Sequence, residues 1–135
     1  MANRLYDKGR QGFLEGTIDW DTDDIRVILV DGADYTPDTA THQFLSSIPA
    51  GAREEVSTSL TSKTVTDGVA DAADVTFPGA TGDPSEYIVG YKHTGSDATA
   101  RLIFLIDTAT GLPVTLNGGD VVVQWDNAAN RIFKL

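Results

Sequence analysis

Aspartates crowd one short stretch of this chain: Asp19, Asp21, Asp23 and Asp24 all fall between residues 19 and 24. Alternate carboxylates at that spacing open a calcium-binding loop, where hard oxygen ligands at every second position wrap a divalent ion. The other requirements are missing. The sixth loop position needs glycine for its sharp turn and holds Asp24, and the twelfth needs a bidentate glutamate and holds Val30. The EF-hand is thereby rejected. A looser hard-cation site through Asp21 and Asp23 stays open, beside the plainer reading of a solvated turn whose carboxylates cap backbone donors.

Paired carboxylates can also hydrolyse a glycosidic bond, provided one acid sits in an apolar or like-charged setting that raises its pKa. Glu15, Glu54, Glu55 and Glu86 all stand beside turn or polar residues, and none lies inside an apolar strand. Nucleophilic serine catalysis needs a strained turn such as Gly-x-Ser-x-Gly, which the chain lacks. Ser46 and Ser47 lie near His42, but sequence proximity alone aligns nothing. His93 precedes Thr94-Gly95 and reads as a surface turn residue. Two histidines and no cysteine exclude a three-histidine metal site, a thiolate nucleophile and a disulfide. Gly118-Gly119 has no following Lys-Ser/Thr pair, so it is a hairpin turn and not a phosphate loop. Trp20 and Trp125 are read as core or core-edge residues, over the alternative of exposed anchors. The expected assignment is no catalytic residue, no metal and no cofactor.

The elements that would position these residues are mostly short strands. From Glu86 onward, Tyr87–Tyr91, Leu102–Ile106, Val121–Trp125 and Arg131–Leu135 are β-branched or aromatic, and turn formers such as Thr94-Gly95-Ser96-Asp97 and Asn117-Gly118-Gly119-Asp120 separate them. Strands at this spacing predict an antiparallel sandwich or barrel. Gly90 marks a bulge or a close backbone approach, and Leu112-Pro113-Val114 reads as an edge. In the first half Ile25–Val30 is the clearest strand. Its nearly continuous apolar run predicts a strand covered on both faces, or on one face plus a partner. Thr17–Trp20, Val56–Leu60, Lys63–Thr66 and Asp74–Phe77 are shorter strand candidates, with Asp67-Gly68 as a turn. The only helix expected is a short one near 42–48, capped by Thr41, with Phe44, Leu45 and Ile48 on one face. Gly9, Gly12 and Gly16 argue against a helix at the start. Residues 1–16 are therefore expected to be an extended N-terminal arm or irregular edge strand. Residues 17–135 are expected to be a single all-β domain: an antiparallel β-sandwich, with a jelly roll as the candidate wiring.

Composition narrows the partners. The chain has 135 residues and a net charge of −10, with a pI near 4.3. Binding to a phosphate backbone needs a positive surface, so no nucleic-acid role is expected. The longest strongly apolar run, Leu102–Ile106, is five residues, against about 20 for a membrane helix. No membrane role follows, and the first residues lack the apolar stretch of a secretory signal. The charge is unevenly placed. Arg4, Lys8 and Arg10 against Asp7 give residues 1–12 a net +2, leaving −12 on the rest. A basic tip ahead of an acidic body suits docking on an acidic neighbour or on another copy.

Longer stretches carry a resemblance. Ala2-Asn-Arg-Leu-Tyr-Asp-Lys-Gly-Arg-Gln-Gly-Phe-Leu-Glu-Gly16, Ile18-Asp-Trp-Asp-Thr22 and Ile25-Arg-Val-Ile-Leu-Val-Asp31 resemble the opening of a group of small tailed-bacteriophage virion structural proteins. Tyr35-Thr-Pro, His42-Gln-Phe-Leu-Ser-Ser-Ile-Pro49, Ile106-Asp-Thr-Ala-Thr-Gly111, Asn117-Gly-Gly-Asp120 and Trp125-Asp-Asn127 through Phe133-Lys-Leu continue it, and Glu54 to Asp74 matches least. The resemblance implies a non-enzymatic virion component. The role expected first is a capsid decoration, or cement, protein on the capsid exterior, made in the host cytoplasm. It would form a homotrimer and link neighbouring subunits of the major capsid protein. A tail or fibre component touching the host surface is the alternative. On the decoration reading, the capsid-binding arm is expected to act through Arg4, Tyr6, Lys8, Arg10 and Phe13.

Overall fold

The computed structural model describes residues 3–135. Its centre is the run Ile25–Val30 (β2), free of glycine and proline and rich in β-branched residues. β2 pairs along its whole length with Tyr87–Lys92 (β7), from Ile25 opposite Lys92 to Val30 opposite Tyr87. Leu102–Ile106 (β8) extends the sheet beyond β7, Arg4–Leu5 (β1) closes that edge, and Arg53–Val56 (β3) flanks β2 on the other side. The order is β1-β8-β7-β2-β3, antiparallel throughout.

Side chains alternate along a strand, and here both faces are buried. Ile25, Val27 and Leu29 join one core, while Ile28 and Val30 join a second. Burial of β2 on both faces bears out the reading of its continuous apolar run. Gly90 serves both purposes suggested for it. The β7–β8 register slips beside it, pairing Gly90 with Phe104 and Tyr91 with Leu102 and leaving Ile103 unmatched. A Cβ on Gly90 would also lie 2.1 Å from the Phe104 ring, so only glycine lets that ring lie across the strand.

Two small sheets cover the first core. Thr64–Thr66 (β4) and Val69–Asp71 (β5) form a hairpin through Asp67 and Gly68, whose φ angles of 51° and 81° are both left-handed, as a two-residue hairpin turn requires. Phe133–Lys134 (β10) adds to β5, and Val75–Phe77 (β6) pairs with Val121–Val123 (β9). The result is an all-β, β-sandwich-like body; its strand order establishes no jelly roll. Irregular chain between residues 31 and 52 covers the second core, through Tyr35, Leu45, Ile48 and Ala52.

Four local expectations are corrected, the first being the strand read over Val56–Leu60, which instead runs over Arg53–Val56, with no strand at residues 57–60. Asp7–Glu15 is the one α-helix (α1) among the described residues. Its glycines lower helix propensity by about 1 kcal/mol each, but tertiary contact needs them. A Cβ on Gly9 would lie 2.6 Å from the Leu102 carbonyl oxygen and 2.9 Å from Ile103 Cα, and Gly12 is pressed by Ile18. The helix backbone thus rides directly on the β8 bulge. Gly16, with a φ of 76°, ends the helix by donating its N–H to the Gly12 and Phe13 carbonyls. The helix expected near 42–48 is a single 3-10 turn over Leu45–Ser47, preceded by Phe44 and not capped by the Thr41 side chain. Residues 17–20 form no strand; they are a loop and turn that bury Ile18 and Trp20. No helix among the described residues is long and apolar enough to cross a membrane.

Candidate functional site

An open groove of about 410 Å³ lies between the end of α1, the link after it and the sheet β10-β5-β4. Phe13, Ile18 and Trp20 form one wall. Val65, Ala70 and Phe133 form the other; they are successive register partners across three strands, so their side chains share one face. The Trp20 ring meets Phe133 edge-on at 5.2 Å and Phe13 meets it at 5.8 Å. Trp20 is fixed by donating its indole N–H to the Asp71 carbonyl at 3.0 Å. The groove is apolar but not closed: Val65 remains 54% exposed.

Asp19 and Asp21 stand at its mouth. Their carboxyls are close enough to share a proton when one of them is protonated. That shared proton and a bond from Thr22 hold Asp19 below the usual carboxylate range, while the same sharing and the charge of Asp19 push Asp21 up. The other two aspartates of the stretch are engaged elsewhere. Asp23 pairs with Lys92 at 3.2 Å and accepts the Asp19 N–H at 2.8 Å. Asp24 takes a two-pronged bond from Arg26 at 3.0 Å on each oxygen, which lowers its pKa. The looser cation site considered for Asp21 and Asp23 thus loses Asp23 to a lysine.

Carboxylates gather instead at a place that no local pattern marks. Oxygens of Asp31, Asp34 and Asp83 lie within 4.8 Å of one another, and three such hard donors are chemistry suited to a calcium-like ion. Neighbouring glutamates staple the same loops. Glu86 accepts the Gly32 N–H at 2.7 Å, Glu55 the Thr81 N–H at 2.9 Å and Glu54 the Asp83 N–H at 3.2 Å. The second Glu54 oxygen is buried without a partner. Glu15 accepts from Gln11 and lies 3.9 Å from Arg101. The four glutamates weighed for paired-acid hydrolysis therefore hold backbone or side-chain donors.

The segment read as a capsid-binding arm is divided by the fold. Arg4 is exposed and donates to the Thr39 hydroxyl at 3.2 Å. Arg10 is exposed beside Asp7 at 3.6 Å, and Lys8 reaches Gln11 at 3.5 Å. Phe13 is half-buried as a groove wall. Tyr6 is fully buried, which removes it from any partner contact. Its hydroxyl meets that of Tyr35 at 2.9 Å, and Tyr35 in turn meets His42 Nδ1 at 2.8 Å. That nitrogen also accepts the Asp38 N–H, so Tyr35 donates to it and Tyr6 donates to Tyr35. Burial pushes both tyrosine hydroxyls up. His42 thus faces a tyrosine and a backbone amide, not Ser46 or Ser47. His93 stands by Tyr91 at 3.5 Å. Both tryptophans are core residues as expected, Trp125 donating its indole N–H to the Ala73 carbonyl at 3.0 Å. The groove itself escaped the sequence because its walls come from residues about 50 to 120 positions apart.

No family model and no curated protein matches this chain.

Proposed function

We propose that the chain is a tailed-phage virion structural protein that acts by surface contact and not by turnover, with capsid decoration as its role. It would sit as a homotrimer on the outside of the head and link neighbouring subunits of the major capsid protein. The observation that carries this reading is the resemblance running from Ala2 to Asp31 and again from Leu102 to Leu135. The structure lends physical support of a general kind. An acidic body with an open apolar groove and an exposed Leu14 carries the surface that docking uses. Many modest contacts repeated over a lattice give collective strength without one strong site. Of the residues expected to face the capsid, Arg4, Lys8 and Arg10 have charged ends at the surface, Phe13 is half-buried and Tyr6 is buried.

Purified particles test the reading. A cryo-EM map with quantitative mass spectrometry is expected to find the chain in hundreds of copies on the head. A handful of copies at the tail would favour the tail or fibre alternative. Absence from particles, with turnover of a polysaccharide, would replace both with an enzyme.

A further inference from the structure

The groove has a complement on the same chain. Leu14, on the outer face of α1, is 85% exposed, the most of any large apolar residue among those described. Arg10 lies one helical turn before it, so the two side chains share a face. The Arg10 side chain is 53% exposed and held only by an exposed ion pair with Asp7 at 3.6 Å, a contact of little energetic weight. α1 thus offers an aliphatic knob with a cation beside it. The groove offers an apolar floor of Ile18, Trp20, Val65, Ala70 and Phe133, with two carboxyls at its lip. No hydrogen bond from a lysine reaches those carboxyls among the described residues: Lys63 acts on Asp21 through its charge while donating to the Asp23 carbonyl, and Lys92 pairs with the Asp23 carboxylate.

We infer that α1 of one copy docks in the groove of a second copy, Leu14 entering between Trp20 and Val65 while Arg10 meets Asp19 and Asp21. Size and charge agree on this occupant. A volume of about 410 Å³ accepts a leucine side chain and its flanks, and an arginine between two carboxyls relieves their mutual repulsion. A knob and a groove on one surface satisfy each other in any closed cyclic assembly, from a two-fold pair to a ring of three. The contact deepens the homotrimer of the proposed function and is measured on the purified chain alone; a monomer would overturn this contact and leave the particle location open.

Sedimentation velocity over a concentration series at low salt is the test. The wild-type chain is expected to associate. Leu14→Asp, at a site exposed enough not to disturb folding, is expected to weaken association on the order of 30-fold. Arg10→Glu and Asp21→Arg are each expected to weaken it about tenfold. The two reversals combined are expected to restore most of the loss, because the pair is re-formed with its charges exchanged. A wild-type chain that stays monomeric up to its solubility limit would overturn the inference. So would association that Leu14→Asp and Arg10→Glu leave unchanged, or a double reversal as weak as the sum of its parts. Circular dichroism of each variant shows that the body remains folded.

Discussion

The two faces of the five-stranded sheet bury different aromatic chemistry. One face takes tyrosines: Tyr6, Tyr35 and Tyr91 are buried there and Tyr87 packs against them. The other takes Phe77, Phe104, Trp20 and Trp125, with Phe13 and Phe133 at its margin. The cover differs as well. Irregular chain seals the tyrosine face, and polar bonds between Tyr6, Tyr35 and His42 give it specific geometry. Small sheets roof the phenylalanine face, and they stop short enough to leave the groove. A hydroxyl buried under loops must find a partner, so that side is closed by necessity. The other side needs few polar partners beyond the two indole N–H bonds, so its cover can be left incomplete.

The largest effect is expected from emptying the phenylalanine face. Phe104 stacks edge-on to Trp125 at 6.0 Å and contacts Phe133 at 6.1 Å. Phe104→Ala is expected to lower stability by about 3–5 kcal/mol, read by urea denaturation. A loss below about 1 kcal/mol would mean that this core repacks freely.

Alkali should single out the other face. Burial raises the pKa of Tyr6, Tyr35 and Tyr91 above the unfolded value, which is about 10. Folded chains then keep protons that unfolded chains release. Their contribution is complete below about pH 10 and falls as pH rises further, by about 1.4 kcal/mol per pH unit for Tyr6, with Tyr35 and Tyr91 adding in the same direction. Denaturation measured from pH 8 to 11 checks this, and a flat profile would contradict the sealed tyrosine face.

Between the faces lies the seat of α1. Gly9→Ala is expected to destabilise by about 1–3 kcal/mol, although alanine is the better helix former, because its methyl meets the Leu102 carbonyl oxygen and Ile103. Stabilisation instead would show that the helix is not held on the bulge. The smallest effect belongs to Tyr6→Phe. Loss of one bond to Tyr35 should cost about 1 kcal/mol and should flatten the alkaline slope by one proton.

Much of the sheet was legible. Ile25–Val30, Tyr87–Tyr91 and Leu102–Ile106 stand within a residue of their expected limits, because unbroken apolar and β-branched runs leave few alternatives. The Asp67-Gly68 turn and the strand before it were legible, but the returning strand Val69–Asp71 was not, because Val69–Ala73 carries a weak strand pattern. The helix was missed because glycine propensity is a local quantity, whereas Gly9 answers to a strand more than 90 residues away. The same holds for the site. Phe13, Trp20 and Phe133 each read as core, and no spacing says that they meet around a space. Tyr6 looked like an arm residue because nothing near it in the chain predicts that Tyr35 will take its hydroxyl.

Arg53 has a consequence of its own. From β3 its guanidinium donates to the Leu45 and Ile48 carbonyls at 2.9 and 2.7 Å and pairs with Asp97 at 2.8 Å. That side chain adds to the backbone bonds that tie residues 45–52 to the molecule, Leu45 donating to the Ala100 carbonyl, Ser46 to the Asp97 carbonyl and Asp31 to the Ala52 carbonyl. Slow hydrogen exchange should find those amides opening together, as one panel tied at several points, while the strands beneath stay shut.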